Sequence, residues 1–151
     1  MNSRQLIIIS FILMSCNKSP IKLVDNFYSY QNINQTLTSF KSVETWGKKE
    51  GFFVASISEY YFFKEKGKVA LVFFEDQLAS VVFYPKDTGR FYQKIDSIYA
   101  KKINMDEKFE IGNKVLSKSY DTDKDFCYSC KKYYVAWSDK RLMKKYDNNI
   151  W

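Results

Sequence analysis

Val69-Ala70-Leu71-Val72-Phe73-Phe74-Glu75-Asp76-Gln77-Leu78-Ala79-Ser80-Val81-Val82-Phe83-Tyr84-Pro85 is the stretch that sets the architecture. Its two halves are rich in β-branched and aromatic residues, which suit a pleated, half-buried backbone. The polar pair Asp76-Gln77 between them marks a turn, so Val69–Glu75 and Leu78–Pro85 are predicted to pair as a hairpin. Side chains alternate across a strand, placing Val69, Leu71 and Phe73 on one face and Ala70, Val72 and Phe74 on the other. Both sets are apolar, which predicts a central strand covered on both sides.

Period-two patterning continues upstream, where Phe52–Ser58 and Glu59–Phe63 are predicted strands and Lys64-Glu65-Lys66-Gly67-Lys68 a charged turn. Nearer the start, Leu23, Val24, Phe27, Ile33, Leu37, Phe40 and Val43 recur at three- and four-residue steps, predicting one broken or two short helices. Asn34 or Thr36 would cap the second. Gly47 after Trp46 would end it in the left-handed conformation that glycine adopts cheaply.

Downstream, Asp87 or Thr88 caps a predicted helix that aligns Phe91, Ile95, Ile98, Tyr99 and Lys102 on one stripe. Gly112-Asn113 predicts a hairpin turn between Lys108–Ile111 and Lys114–Tyr120, and Ser138-Asp139-Lys140 another between Lys132–Trp137 and Arg141–Tyr146. The expected fold class is α+β, a mainly antiparallel sheet covered by two or three helices. No internal repeat or linker divides residues 21–151, so they are expected to form a single domain.

The N-terminus has a different character. Arg4 precedes an apolar run from Leu6 to Met14 interrupted by Ser10, the pattern of an export signal. A membrane helix needs about 20 apolar residues to cross about 30 Å of hydrocarbon, and this run is too short. Leu13-Met14-Ser15-Cys16 resembles the lipobox of bacterial lipoproteins, with an aliphatic residue three before the cysteine and a small one just before it. The resemblance implies that residues 1–15 are a cleaved signal peptide and that Cys16, first in the mature chain, carries a diacylglycerol. Residues 16–20 would then be lipidated cysteine and tether. Many Gram-negative members have aspartate after the cysteine when retained at the inner membrane; Asn17 stands here, which implies the outer membrane in such a host. The location expected is the cell envelope, with the membrane as one partner.

Histidine is absent, which removes the usual general base near neutral pH and the usual zinc ligand. No catalytic residue, metal or cofactor is therefore expected. The net charge of +7 favours anionic lipid, acidic glycan or an acidic protein partner, while export makes nucleic acid an improbable one. Aromatic residues make up 19% of the chain, so rings must fill much of the core or lie exposed as a platform.

Cys127 and Cys130 remain as a pair in an oxidising compartment, where a disulfide is expected. Their C-x-x-C spacing also fits a redox site, but the following Lys131-Lys132-Tyr133-Tyr134 reads as strand rather than the helix start that stabilises a thiolate. Asp121-Thr122-Asp123-Lys124-Asp125 spaces carboxylates as a calcium loop does, yet Phe126 and Lys132 stand where glycine and glutamate are needed. Tyr60-Tyr61-Phe62-Phe63 and Tyr133-Tyr134 alternate rings between two strand faces. Tyr60, Phe62 and Tyr133 are accordingly candidate binding rings beside the cations Lys131 and Lys132.

Residues 33–84 resemble the small lipoproteins of the outer-membrane assembly machinery and the related β-lactamase-inhibitor-like fold, through the Trp46-Gly47 helix end and the Phe74-x-Asp76-x-Leu78 hairpin. Gln77 stands where those proteins usually have a turn glycine. The expected function is a non-catalytic, membrane-anchored binding or envelope-assembly accessory protein. Alternatives are an inhibitor or immunity protein against an exported enzyme, a glycan- or lipid-binding lipoprotein, and a cysteine-based redox enzyme.

Overall fold

The apolar stretch does fold as a hairpin, with its turn one residue earlier than the polar pair suggests. In the computed structural model, which describes residues 19–40, 43–49, 51–122 and 131–150, strands β5 (Glu65–Phe74) and β6 (Gln77–Pro85) flank Glu75-Asp76. Both turn residues are left-handed, at φ of 49° and 61°. That mirror-image turn matches the twist of the strands it joins, which offsets its backbone cost. For residues 44–49 and 146–150 the backbone alone is described.

Around this hairpin the described chain builds a seven-stranded antiparallel sheet in the order β3-β4-β5-β6-β9-β8-β7. Its other members are β3 (Glu44–Lys49), β4 (Phe52–Phe62), β7 (Lys108–Ile111), β8 (Lys114–Thr122) and β9 (Lys131–Asp139). Glycine 112 supplies the positive φ of the β7–β8 turn, as its sequence predicts. The predicted strands Phe52–Ser58 and Glu59–Phe63 are one strand, β4, with a bulge between Ile57 and Tyr60. The turn after it is only Phe63-Lys64, and Glu65–Lys68 belong to β5.

Three helical expectations fail. Residues 22–28 form a small hairpin, β1 (Lys22–Val24) and β2 (Phe27–Tyr28), and the helix that follows, α1, spans just Ile33–Leu37. Asn32 caps it, accepting from the Asn34 N–H, while the Thr36 hydroxyl donates back to the Asn32 carbonyl. Trp46-Gly47 end no helix but lie in β3, where Gly47 falls at a register shift opposite β4. Spacing alone misled here, because apolar residues at three- and four-residue steps also arise when successive short strands and turns face one core.

The reverse error occurs at the C-terminal end. Arg141–Tyr146, predicted as a strand, belongs to helix α3 (Lys140–Ile150). Asp139 ends β9 and caps α3, its carboxylate accepting from the Arg141 N–H at 2.9 Å. Helix α2 (Thr88–Ile98) starts as predicted, with Asp87 accepting from the Arg90 N–H, but it ends at Ile98, so Lys102 of the predicted stripe lies outside it and Tyr99 is its C-cap.

One face of the sheet holds the main core. Leu71, Phe73, Val81, Phe83, Leu116, Val135 and Trp137 point into it and are sealed by Phe91 and Ile95 of α2 and by Leu23, Val24 and Phe27 of the small hairpin. Rings dominate: Phe62 contacts Phe83 edge-on at 5.0 Å and Trp137 at 5.6 Å, and Phe83 contacts Phe91 at 4.8 Å between centroids. The Trp137 indole N–H donates to Tyr99. Ile98, predicted on the buried stripe of α2, is exposed, and the fully buried positions of this short helix are Phe91 and Ile95.

A lysine also enters this core. Lys118, 2% exposed, projects from β8 toward α2, where its ammonium meets Asp96 at 2.5 Å and donates to the Tyr92 carbonyl.

Candidate functional site

The second face of the sheet is where the described residues leave apolar surface open. Register fixes what lines it. Val72 opposes Ser80, Ser80 opposes Ser138 and Ser138 opposes Val115; one row away Ala70, Val82, Ala136 and Ser117 stand in line. Small side chains therefore form the floor. The two central hydroxyls satisfy each other, Ser80 Oγ lying 2.8 Å from Ser138 Oγ, so the floor presents little unmet polarity.

Among the described residues, α3 packs on this face and closes one end. Leu142 and Met143 cover Phe74 and Ala79, the residue bulged out between the Val72–Ser80 and Phe73–Leu78 pairs. Beside α3 lies an open concavity of about 470 Å³, floored by Val72, Val82, Val115 and Ala136 and rimmed by Lys108, Glu110, Lys140 and Lys144. Val72 and Val82 are half-buried, which corrects the prediction that both faces of β5 are fully covered.

Toward the other end of the strands the face continues into a wider recess of about 850 Å³ between Lys68, Tyr84, Asp121 and Lys132. Tyr84 and Tyr134 stack edge-on at 5.5 Å as the divide. Burial, then the Asp121 carboxylate that accepts its hydrogen bond at 2.6 Å, pushes the Tyr84 phenol well above its ordinary value. Tyr134 is likewise raised, mainly by burial. Both phenols stay protonated near neutral pH and act as hydrogen-bonding walls rather than bases.

The sequence-predicted surface residues divide between two places. Phe62 is 1% exposed and contributes to no surface; the bulge in β4 turns Tyr60 and Phe62 toward the core. Tyr60 is half-buried against Phe27 and Phe62, its hydroxyl donating to Asp25. Burial and that carboxylate raise its phenol too. Tyr61 is the ring of this quartet that faces solvent.

Lys131, Lys132 and Tyr133 are exposed together at the start of β9. Tyr133 lies beside Tyr120, over which the Lys131 ammonium sits at 4.1 Å, a cation–π contact. Lys132 lines the wider recess. Cys16, Cys127, Cys130, Asp123 and Asp125 lie outside the described residues. Among the described residues no cluster of three or more histidine, cysteine, aspartate or glutamate side chains is placed to hold a metal, and no helix is long and apolar enough to cross a membrane.

The small-residue floor was the feature missed in the sequence. Its signal was available: every second residue of Val115-Leu116-Ser117-Lys118-Ser119 and of Tyr134-Val135-Ala136-Trp137-Ser138 is small or valine, apart from Tyr134, opposite bulky core partners. Searches against protein families, curated proteins and solved structures find no match to this chain.

Proposed function

We propose that the chain is a lipid-anchored envelope protein without catalytic function, which holds a protein partner on the open face of its sheet. The observation that carries this reading is the floor of Val72, Val82, Val115 and Ala136, apolar and half-open, set within a rim of Lys108, Lys140 and Lys144. An apolar centre with a charged rim is the usual anatomy of a protein-binding patch. Three lysines against Glu110 favour a partner with an acidic border. The lipobox-like residues before Cys16 support the anchor.

The test uses the mature protein in its own cells. Photocrosslinking from Val82 and from Ser117 should give one shared adduct, and Val115→Glu, at a half-buried position of the same floor, should abolish it while leaving the melting temperature within a few degrees. An unchanged adduct in the Val115→Glu protein refutes the open face as the binding surface. Mass spectrometry of the mature N-terminus reads the anchor separately: Cys16 should be the first residue and carry acyl chains.

A further inference from the structure

The body of the protein begins almost at the predicted lipid. Ser19 is held in place, its carbonyl accepting from the Arg141 guanidinium at 2.9 Å. Cys16 is three residues earlier, and extended chain spans at most about 3.6 Å per residue, so the acylated cysteine can lie no more than about 11 Å from that fastening. Whatever surrounds Ser19 must therefore lie close to the headgroups of the bilayer that holds the acyl chains.

What surrounds it is basic. The Lys140 N–H next to Arg141 donates to the Asn113 carbonyl at 2.9 Å, which joins the start of α3 to the β7–β8 turn. Lys114, the first residue of β8, is half-buried with its ammonium 5.6 Å over the Tyr99 ring, and burial first, then the Lys22 charge of β1, holds that ammonium below the usual lysine range. Lys144 lies nearby, within reach of Glu110. Glu110 takes Lys140 and Asp139 takes Arg141, whereas Lys22, Lys114 and Lys144 have no ion-pair partner among the described residues. The acidic residues Glu75 and Asp76 sit at the same end of the sheet, on the β5–β6 turn, across β6 and β9 from Lys114. Ile111, 42% exposed, stands beside Gly112 at the tip of the β7–β8 turn.

We propose that this end of the sheet, carrying Lys22, Lys114 and Ile111, docks on the anionic phospholipid surface into which Cys16 is anchored. The proposal rests on the anchor reading above. Lysines without carboxylate partners are attracted rather than screened once they come within a Debye length, about 8 Å, of headgroup phosphates. Ile111 adds an apolar contact at the tip. Docking at this end would set the strands upright and leave the open sheet face turned sideways, accessible to a partner in the aqueous space.

The test is hydrogen–deuterium exchange of the mature acylated protein in vesicles of phosphatidylglycerol with phosphatidylethanolamine, and in vesicles of phosphatidylcholine alone. Amides of residues 111–114 should exchange several-fold more slowly on the anionic vesicles. The difference should vanish in a Lys22→Gln, Lys114→Gln double variant and persist in Lys22→Arg, Lys114→Arg. Equal exchange on both vesicles, with acyl chains confirmed on Cys16 by intact mass, overturns docking alone. A mature chain lacking acyl groups overturns the anchor reading, and docking with it.

Discussion

Lys118 and Asp96 form an ion pair of 2.5 Å between β8 and α2, with the lysine side chain 3% exposed and the aspartate 27%. Asp96 also accepts from the Ile103 N–H, so one carboxylate ties the helix, the sheet and the loop after the helix together. Breaking a buried pair from one side leaves a charge without compensation, at a cost of about 3–5 kcal/mol. Asp96→Asn strands the deeper partner and should approach that figure, whereas Lys118→Met leaves the more accessible carboxylate and should cost less. Urea unfolding of the two variants checks the ordering, and a milder Asp96→Asn would contradict it.

Acid sensitivity should centre on Asp139. Burial pushes its carboxyl up, but the Arg141 guanidinium, the Arg141 N–H and the Ser29 hydroxyl outweigh that and hold it below its ordinary value. The carboxylate is fully buried and bonded at 3.0 and 2.6 Å by the two guanidinium nitrogens. A carboxyl depressed in the folded state contributes stability that is complete above its unfolded value, near 4, and is lost as pH falls through the folded value. Stability from this group should therefore be flat from neutrality to about pH 5 and decline below about pH 4. Arg141→Gln should lower stability at neutral pH by roughly 3 kcal/mol and reduce that acid-dependent loss. A thermal-melt series against pH for both proteins decides it, and parallel curves would count against the assignment.

Gly67 tolerates no side chain. A Cβ there would lie 2.3 Å from the Tyr84 carbonyl oxygen and 2.6 Å from the Phe83 ring. Neither neighbour can withdraw, since one is backbone of β6 and the other is packed in the core. Gly67→Ala should cost about 1–3 kcal/mol, the usual range for overpacking. Gly89→Ala is the contrast, because its nearest neighbour would be the Asp87 carboxylate at 3.9 Å. Equal melting temperatures for the two variants would refute the role assigned to Gly67.

The sheet was largely legible because its strands carry strong alternation and its turns carry polar or glycine markers, as at Gly112-Asn113. Helix α2 was legible for a similar reason: Asp87 announces its start and Phe91 and Ile95 its buried side. The ends of the domain were harder. Leu23, Val24 and Phe27 mimic a helical stripe because a hairpin of very short strands presents apolar residues at irregular steps. At the other end, Leu142 and Met143 are adjacent, a spacing that neither period favours, and the capping role of Asp139 was hidden by its neighbours Ser138 and Lys140, which resemble a turn.

The candidate face was less legible than the core. Alternation tells which residues share a side but not whether another element covers that side, and the covering of Phe74 by α3 depends on where the chain returns after β9. Phe62 shows the same limit, since a single bulge after Ile57 reverses which rings of the aromatic quartet meet solvent.

The sheet is two meanders, β3–β6 and β7–β9, stitched by one short seam from Ser80–Ser138 to Phe83–Val135. Partners across that seam are far apart along the chain, 57 residues for Ser80 and Trp137. Each meander can zip through neighbouring segments, whereas the seam must await closure of a long loop. Until it closes, both β6 and β9 are bare edges open to pairing with another chain. For a polypeptide anchored as proposed above, that waiting time is when mispairing between neighbouring copies is most dangerous.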